Sequence, residues 1–176
     1  MTSHTLARFD SSKELSDDCA FCRIIAGQSA AYIVYEDEHN LAFLDILPLR
    51  RGHTLVVPKK HVEQVSHLDQ QTAAWLSNAL VQTTRAVGKA LDDERLQVIT
   101  NQIYAQLVPH VHFHIVPAAA RPSADEKTKK PAASHALATM GLGHGREELD
   151  DQEAEELCRK IRQAAQQLSN GPDAKL

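Results

Sequence analysis

The sequence predicts an α+β domain built on a mainly antiparallel five-stranded sheet, with one long helix and a C-terminal helix. Three observations carry that expectation. Short β-branched and aromatic runs, separated by turn residues, continue as far as Pro58. Apolar spacing then becomes helical between about 68 and 91, and two further strand-like runs follow before Pro117. With 176 residues the chain has enough length for one domain with its own core and little more.

Taken in order, residues 1–18 are polar, of mixed charge and without periodicity, and read as a flexible tail. The domain core is expected over 19–117. Phe21, Ile24 and Ile25 give the apolar side of a short helix ending at Gly27. Strands are expected at Ala31–Tyr35, Leu41–Asp45 and His53–Val57, with turns at Glu36–Asn40 and Pro48–Gly52. Trp75, Leu76, Ala79, Leu80, Val87 and Leu91 recur at three and four residues on the long helix, which Asp69 can cap. Leu96–Thr100 is a fourth strand and His110–Val116 a fifth. Residues 118–149 carry a lysine cluster, small residues and glycines, and read as a flexible loop or lid. The span 150–176 is the C-terminal helix and a tail. Its acidic start and its later Arg159, Lys160 and Arg162 suit the helix dipole, and Ala154, Leu157, Ile161, Ala165 and Leu168 make its apolar stripe.

Composition removes several function classes. The formal net charge is −4 with histidine neutral, and no basic face supports binding to nucleic acid. No run of about 18 apolar residues exists to cross a membrane. The three cysteines, without a signal-like leader, fit a reducing compartment, so a cytoplasmic location is expected, with the nucleus also open.

The most informative run is His110-Val111-His112-Phe113-His114-Ile115-Val116. On a strand, alternation turns the histidines to one face and Val111, Phe113 and Ile115 to the other. Neighbouring histidines of such a row lie about 6.5–7 Å apart and can share a metal, but the outer two are about 13 Å apart, too far for one ion. The competing chemistry is nucleophilic, with the central imidazole attacking phosphorus and a neighbour stabilising charge on the phosphate oxygens. A solvated polar face is the bland reading, and strict alternation between two prolines speaks against it. Separately, Cys19 and Cys22 form a C-x-x-C pair that could supply half of a tetrahedral zinc site, or simply be two reduced thiols packed beside Phe21.

The histidine run, with an apolar residue after each histidine, resembles the signature of the histidine triad family of nucleotide hydrolases and transferases. Phe43-Leu44-Asp45-Ile46 and Gly52-His53-Thr54-Leu55-Val56-Val57-Pro58-Lys59-Lys60-His61 resemble its other characteristic blocks, and Cys19-Ala20-Phe21-Cys22-Arg23-Ile24-Ile25 its usual opening. The likeness covers about two thirds of the chain and omits the tail and the segment after Pro117.

The resemblance implies a two-step displacement. His112 attacks the α-phosphorus of a nucleoside phosphoramidate or dinucleoside polyphosphate, and water resolves the nucleotidyl-histidine. His114 hydrogen-bonds phosphate oxygens, and Asp45 grips the ribose. Leu44, Ile46 and Phe21 enclose a purine base, while Asn101 and Gln106 correspond to residues that touch phosphates. It also implies a homodimer with sheets joined across the interface, no catalytic cofactor, and a structural zinc held by Cys19, Cys22, His61 and His110. Independently, an imidazole pKa of about 6.5 leaves much of the ring neutral and nucleophilic at pH 7. One departure stands out: many relatives have Gly-Gln-Ser or Gly-Gln-Thr where this chain has Ala105-Gln106-Leu107, so a hydroxyl is missing. The alternative function is a zinc-stabilised nucleotide-binding or scaffold protein whose catalysis is vestigial. His53 reads equally as a cleft residue or a structural histidine, and Cys158 as a small core residue.

Overall fold

In chain order, the computed structural model contains α1 (Ala20–Ile25), β1 (Ile33–Glu36), β2 (Asn40–Leu44), β3 (Thr54–Pro58), a 3-10 turn at Val65–His67, α2 (Gln70–Leu91), β4 (Leu96–Thr100), β5 (Phe113–Pro117) and α3 (Asp151–Ser169). It describes residues 15–118 and 147–170. The flexible tail and most of the loop or lid expected from the sequence lie outside the described residues.

The five strands form one sheet in the order β1-β2-β3-β5-β4, with every neighbouring pair antiparallel. Strand alternation divides its side chains between two cores. Ala42, Leu44, Val56 and Ile115 face α2 and α3, where Leu76, Ala79, Val87, Leu157 and Ile161 complete the larger core. Leu41, Phe43, Leu55 and Val57 face the other way and pack with Cys19, Phe21 and Cys22 of the α1 region. Most of the candidate site residues, Phe21 among them, belong to that second, smaller side, whereas Leu44 faces the helices.

Local chemistry explains the helix limits. The Asp69 carboxylate accepts the Thr72 N–H at 2.8 Å and so caps α2, which ends at Asp92 in the left-handed region with φ 52°. Asp150 caps α3 by accepting from the Gln152 and Glu153 N–H groups. The start of α3 is tied down beside the β2–β3 connection, because Leu149 N–H donates to Ile46 O at 2.9 Å and Arg51 pairs with Glu153 at 2.7 Å. Farther along, Arg162 donates to the Ile33 carbonyl on the outer edge of β1.

The fifth strand corrects the sequence reading. It begins at Phe113 rather than His110. Val111 N–H donates to Val62 O at 2.7 Å, and His112 O accepts from the Thr100 hydroxyl at 2.9 Å, so other partners replace ladder bonds there. Alternation survives the change. Val111 and Ile115 are buried in the helix-side core with Phe113 against it, while His110 and His112 meet α1-region residues. Among the described residues no helix is long and apolar enough to cross a membrane.

Candidate active site and metal cluster

A cavity of about 520 Å³ opens on the α1 side of the sheet. Its lining combines the apolar side chains of Phe21, Ile24, Phe43 and Ile46 with the polar ones of Asp45, His53, Asn101, His112 and His114.

His112 stands between the two histidines of the run. It is 5% exposed, and its Nδ1 lies 2.6 Å from the carbonyl of His110. A carbonyl only accepts, so Nδ1 carries the proton and the lone pair stays on Nε2. Burial pushes the His112 pKa down from its ordinary value, which favours the neutral ring. Phe21 meets it edge-on with centroids 5.2 Å apart, and His114 does so at 4.9 Å.

His114 is linked behind the cavity wall to His53. His53 Nε2 and His114 Nδ1 are 3.0 Å apart. On the far edge of the His53 ring, Nδ1 receives the Leu49 N–H at 3.1 Å and lies 3.2 Å from the Asp45 carboxylate. The other Asp45 oxygen accepts from Leu47 N–H at 2.9 Å, so the carboxylate is held from two directions. His53 therefore lines the cleft and is also structurally satisfied, uniting the two sequence readings.

The remaining expected contacts divide. Phe21, Ile46 and Asn101 line the cavity, with Ile46 57% exposed. Leu44 borders it too, but its side chain is buried in the helix-side core. Phe43, which the sequence reading passed over, is the β2 residue packed against Phe21, with centroids 5.5 Å apart. It is two residues from Asp45, and that parity is the signal that could have found it. Gln106 differs from the expectation. It is not a lining residue; its amide donates to Glu63 O at 2.7 Å and accepts from Ile103 N–H, bracing the loop before His110. That loop places Ile103 and Ala105 in the left-handed region and leaves Leu107 94% exposed at the rim.

Beside His112 lies the second cluster. Cys19, Cys22, His61 and His110 each offer one ligand atom, all within 4.8 Å of one another. His110 Nε2 lies 2.8 Å from Pro58 O and so bears the ring proton, leaving the Nδ1 lone pair toward Cys19 Sγ at 3.4 Å and Cys22 Sγ at 3.6 Å. His61 Nδ1 is 3.3 Å from Cys22 Sγ. Burial raises the Cys22 thiol to about 11 and lowers His110 to about 4. Two nitrogens and two sulfurs at these separations match the tetrahedral demands of zinc, and a bound cation would draw the thiols to thiolates. The donor set fits that metal.

An antiparallel five-stranded sheet carries the histidine-lined cavity beside an S₂N₂ cluster, and the comparisons place this α+β domain in a known family. The profile described as HIT domain matches residues 26–121. An adenosine 5'-monophosphoramidase of Schizosaccharomyces pombe is 38% identical over 101 residues, covering 56% of this chain and 73% of that protein. A histidine triad nucleotide-binding protein of Sulfolobus tokodaii aligns with TM-score 0.72 and 31% identity over 89% of this chain and 98% of that one. A zinc-bound histidine triad protein of Mycobacterium smegmatis aligns with TM-score 0.65 and 32% identity, covering 86% and 96%. The chain belongs to the histidine triad, or HIT, family.

Proposed function

We propose that this chain hydrolyses nucleoside phosphoramidates or dinucleoside polyphosphates at the α-phosphorus, through a covalent nucleotidyl-His112. The observation carrying the proposal is the His112 ring itself: buried, and fixed by the His110 carbonyl so that Nε2 keeps its lone pair. In the first step His112 Nε2 bonds to phosphorus as the bond to the leaving group breaks. In the second, water attacks phosphorus, the P–N bond breaks, and the nucleotide leaves; another acceptor in place of water would make the same chemistry a transfer.

His114 donates to the phosphate oxygens, and Asn101, which also lines the cavity, assists it. Asp45 holds the ribose hydroxyls. Phe21 and Ile46, with Leu44 behind them, enclose the base, and an apolar wall of this kind suits a purine. Gln106 acts at one remove, by fixing the loop that carries the His110 carbonyl. The S. pombe relative is named for cleaving an adenosine phosphoramidate, which supports the substrate class.

The Cys19, Cys22, His61 and His110 cluster would hold a structural zinc, fastening α1 to the segments after β3 and before β5. A homodimer joined through β4 is supported by that strand's place at the sheet edge and the exposure of Val98 on it. Three free thiols suit a reducing, cytoplasmic or nuclear, setting.

The test is turnover of a fluorogenic adenosine phosphoramidate, with intact-protein mass spectrometry after a rapid acid-free quench. A nucleotidyl adduct in the wild type that is absent from His112→Asn supports the covalent route. Turnover retained by His112→Asn removes it.

A further inference from the structure

We propose that Arg23 and Ser29 read the edge of the bound base, and that Arg23 makes the site prefer a 6-oxopurine, guanine or hypoxanthine, over adenine. The inference rests on the nucleotide binding proposed above and adds the choice of base to it.

The lining residues fall into chain segments with different tasks. His53 lies at the head of β3, and His112 and His114 lie just before and within β5; these are the residues placed at or behind phosphorus. Helix α1 and the turn after it contribute Phe21, Arg23, Ile24 and Ser29. Phe21 and Ile24 are apolar and suit a base. Arg23 lies between them in the chain, and Ser29 is folded back onto the same helix, because the Gln28 and Ser29 N–H groups both donate to the Arg23 carbonyl, at 2.8 and 3.2 Å.

These two polar residues have hydrogen-bonding capacity to spare. Ser29 is half-buried, and among the described residues its hydroxyl has no partner. A guanidinium carries five N–H donors. That of Arg23 is exposed and makes one long bond, to the Asp17 carbonyl at 3.3 Å. Asp45, the one carboxylate among the described lining residues, already accepts the Leu47 N–H and lies 3.2 Å from His53 Nδ1. The α1 segment therefore offers donors to a base and no carboxylate.

That asymmetry chooses between purines. Guanine and hypoxanthine present two adjacent acceptors, O6 and N7, whereas adenine presents N7 beside an amino group that donates. Arginine only donates, so its fork can engage O6 and N7 together, but against adenine one N–H faces another. The Ser29 hydroxyl donates or accepts and so serves either base without choosing. The rings of Phe21 and His112, and the Ile24 side chain, meet any purine alike. Discrimination falls to Arg23.

The experiment is calorimetric binding of GMP, IMP and AMP, which carry no leaving group and so report on the base alone. Wild-type protein should bind GMP and IMP about 10-fold more tightly than AMP, within the range of a bidentate arginine contact to O6 and N7. In Arg23→Met that ratio should fall to near one, whereas Ser29→Ala should weaken all three nucleotides equally. AMP bound by the wild type as tightly as GMP overturns the proposal, and this reading depends on no variant. Equal losses for all three nucleotides in Arg23→Met would mean attraction of the phosphate rather than reading of the base, and also overturn it. IMP binding like AMP while GMP binds tightly would assign the choice to the 2-amino group and remove Arg23 from it. No change in Ser29→Ala removes Ser29. A preference for GMP and IMP in protein that turns over no phosphoramidate would keep the base reading and remove the hydrolysis; wild type that binds none of the three removes both.

Discussion

The carbonyl oxygen of His110 sits 2.6 Å from Nδ1 of His112, so one residue of the histidine run fixes the tautomer of another two positions along. If His112 is the nucleophile proposed above, a side chain that only fills its space cannot replace it. His112→Asn and His112→Gly should each reduce phosphoramidate turnover by about 10⁴-fold or more, the scale seen when a covalent nucleophile is removed. Steady-state kcat measured with protein freshly purified from the wild-type contaminant checks this. Because the ring is buried at the cavity wall, binding of the product nucleotide should weaken far less, which calorimetry would show.

The same residue ties His112 to the Cys19, Cys22, His61 and His110 cluster, because the His110 ring faces Cys19 and Cys22 while its carbonyl holds His112. Zinc bound to folded protein alone stabilises it, by about 2.7 kcal/mol at a free concentration one hundred times Kd. Purified protein is therefore expected to contain one zinc per chain by elemental analysis. Prolonged treatment with a strong chelator should lower Tm, and added zinc should restore it. Cys22→Ser should lose the metal and melt at the temperature of the chelated wild type; metal content unchanged in that variant would assign the zinc elsewhere.

How much of this could be read from the chain alone depended on the range of the forces involved. Helix α2 and strand β4 fall where local spacing and the Asp69 cap put them, because their limits are set within a few residues. The start of β5 is not legible locally, because the Val62 carbonyl and the Thr100 hydroxyl, both far away in sequence, bond the backbone at Val111 and His112. The four cluster residues could be named through family likeness, and the structure brings their ligand atoms together. Position in a motif points Gln106 at phosphate, yet in a loop with left-handed backbone at Ile103 and Ala105 its amide meets Glu63. The Asp45–His53–His114 row joins three different segments, and no periodicity announces such a row.

Acid sensitivity should include a contribution from the cap of α2. Asp69 accepts from the Thr72 N–H, the Thr72 hydroxyl and Lys60, and these bonds, led by the backbone one, hold its carboxyl well below the usual carboxylate range. A pKa lowered by folding contributes stability that is complete above the unfolded value, about 3.9, and is lost as pH falls toward the folded value. Asp69→Ala should cost about 1 kcal/mol at pH 7 by urea denaturation. Asp69→Asn keeps a capping oxygen and loses the pairing with Lys60, which is half exposed and worth at most about 1 kcal/mol. The gap between wild type and Asp69→Asn should narrow steadily below pH 4. A gap that stays constant from pH 7 to 3 would show that ionisation of Asp69 is irrelevant to stability.

Gly52 offers a last test, because two separate demands fall on one position immediately before His53. Its φ of +83° lies in the left-handed region, and a Cβ there would come within 2.8 Å of Leu91 Cδ1 at the end of α2. The conformational demand alone costs about 1 kcal/mol or more for an L residue with a side chain. The contact adds to it unless the Leu91 terminus moves, and that terminus is the flexible end of a side chain. Gly52→Ala should therefore destabilise the domain by about 1–3 kcal/mol, measured by urea unfolding with an unchanged slope. Pairing it with Leu91→Ala separates the two causes. Removal of the Leu91 methyls should make the glycine substitution less costly in the double variant, but a residual penalty from φ must persist. If the Gly52→Ala cost disappears entirely in the Leu91→Ala background, crowding was the whole effect and the left-handed turn imposes none; if the cost is identical in both backgrounds, Leu91 yields freely and the backbone alone requires glycine.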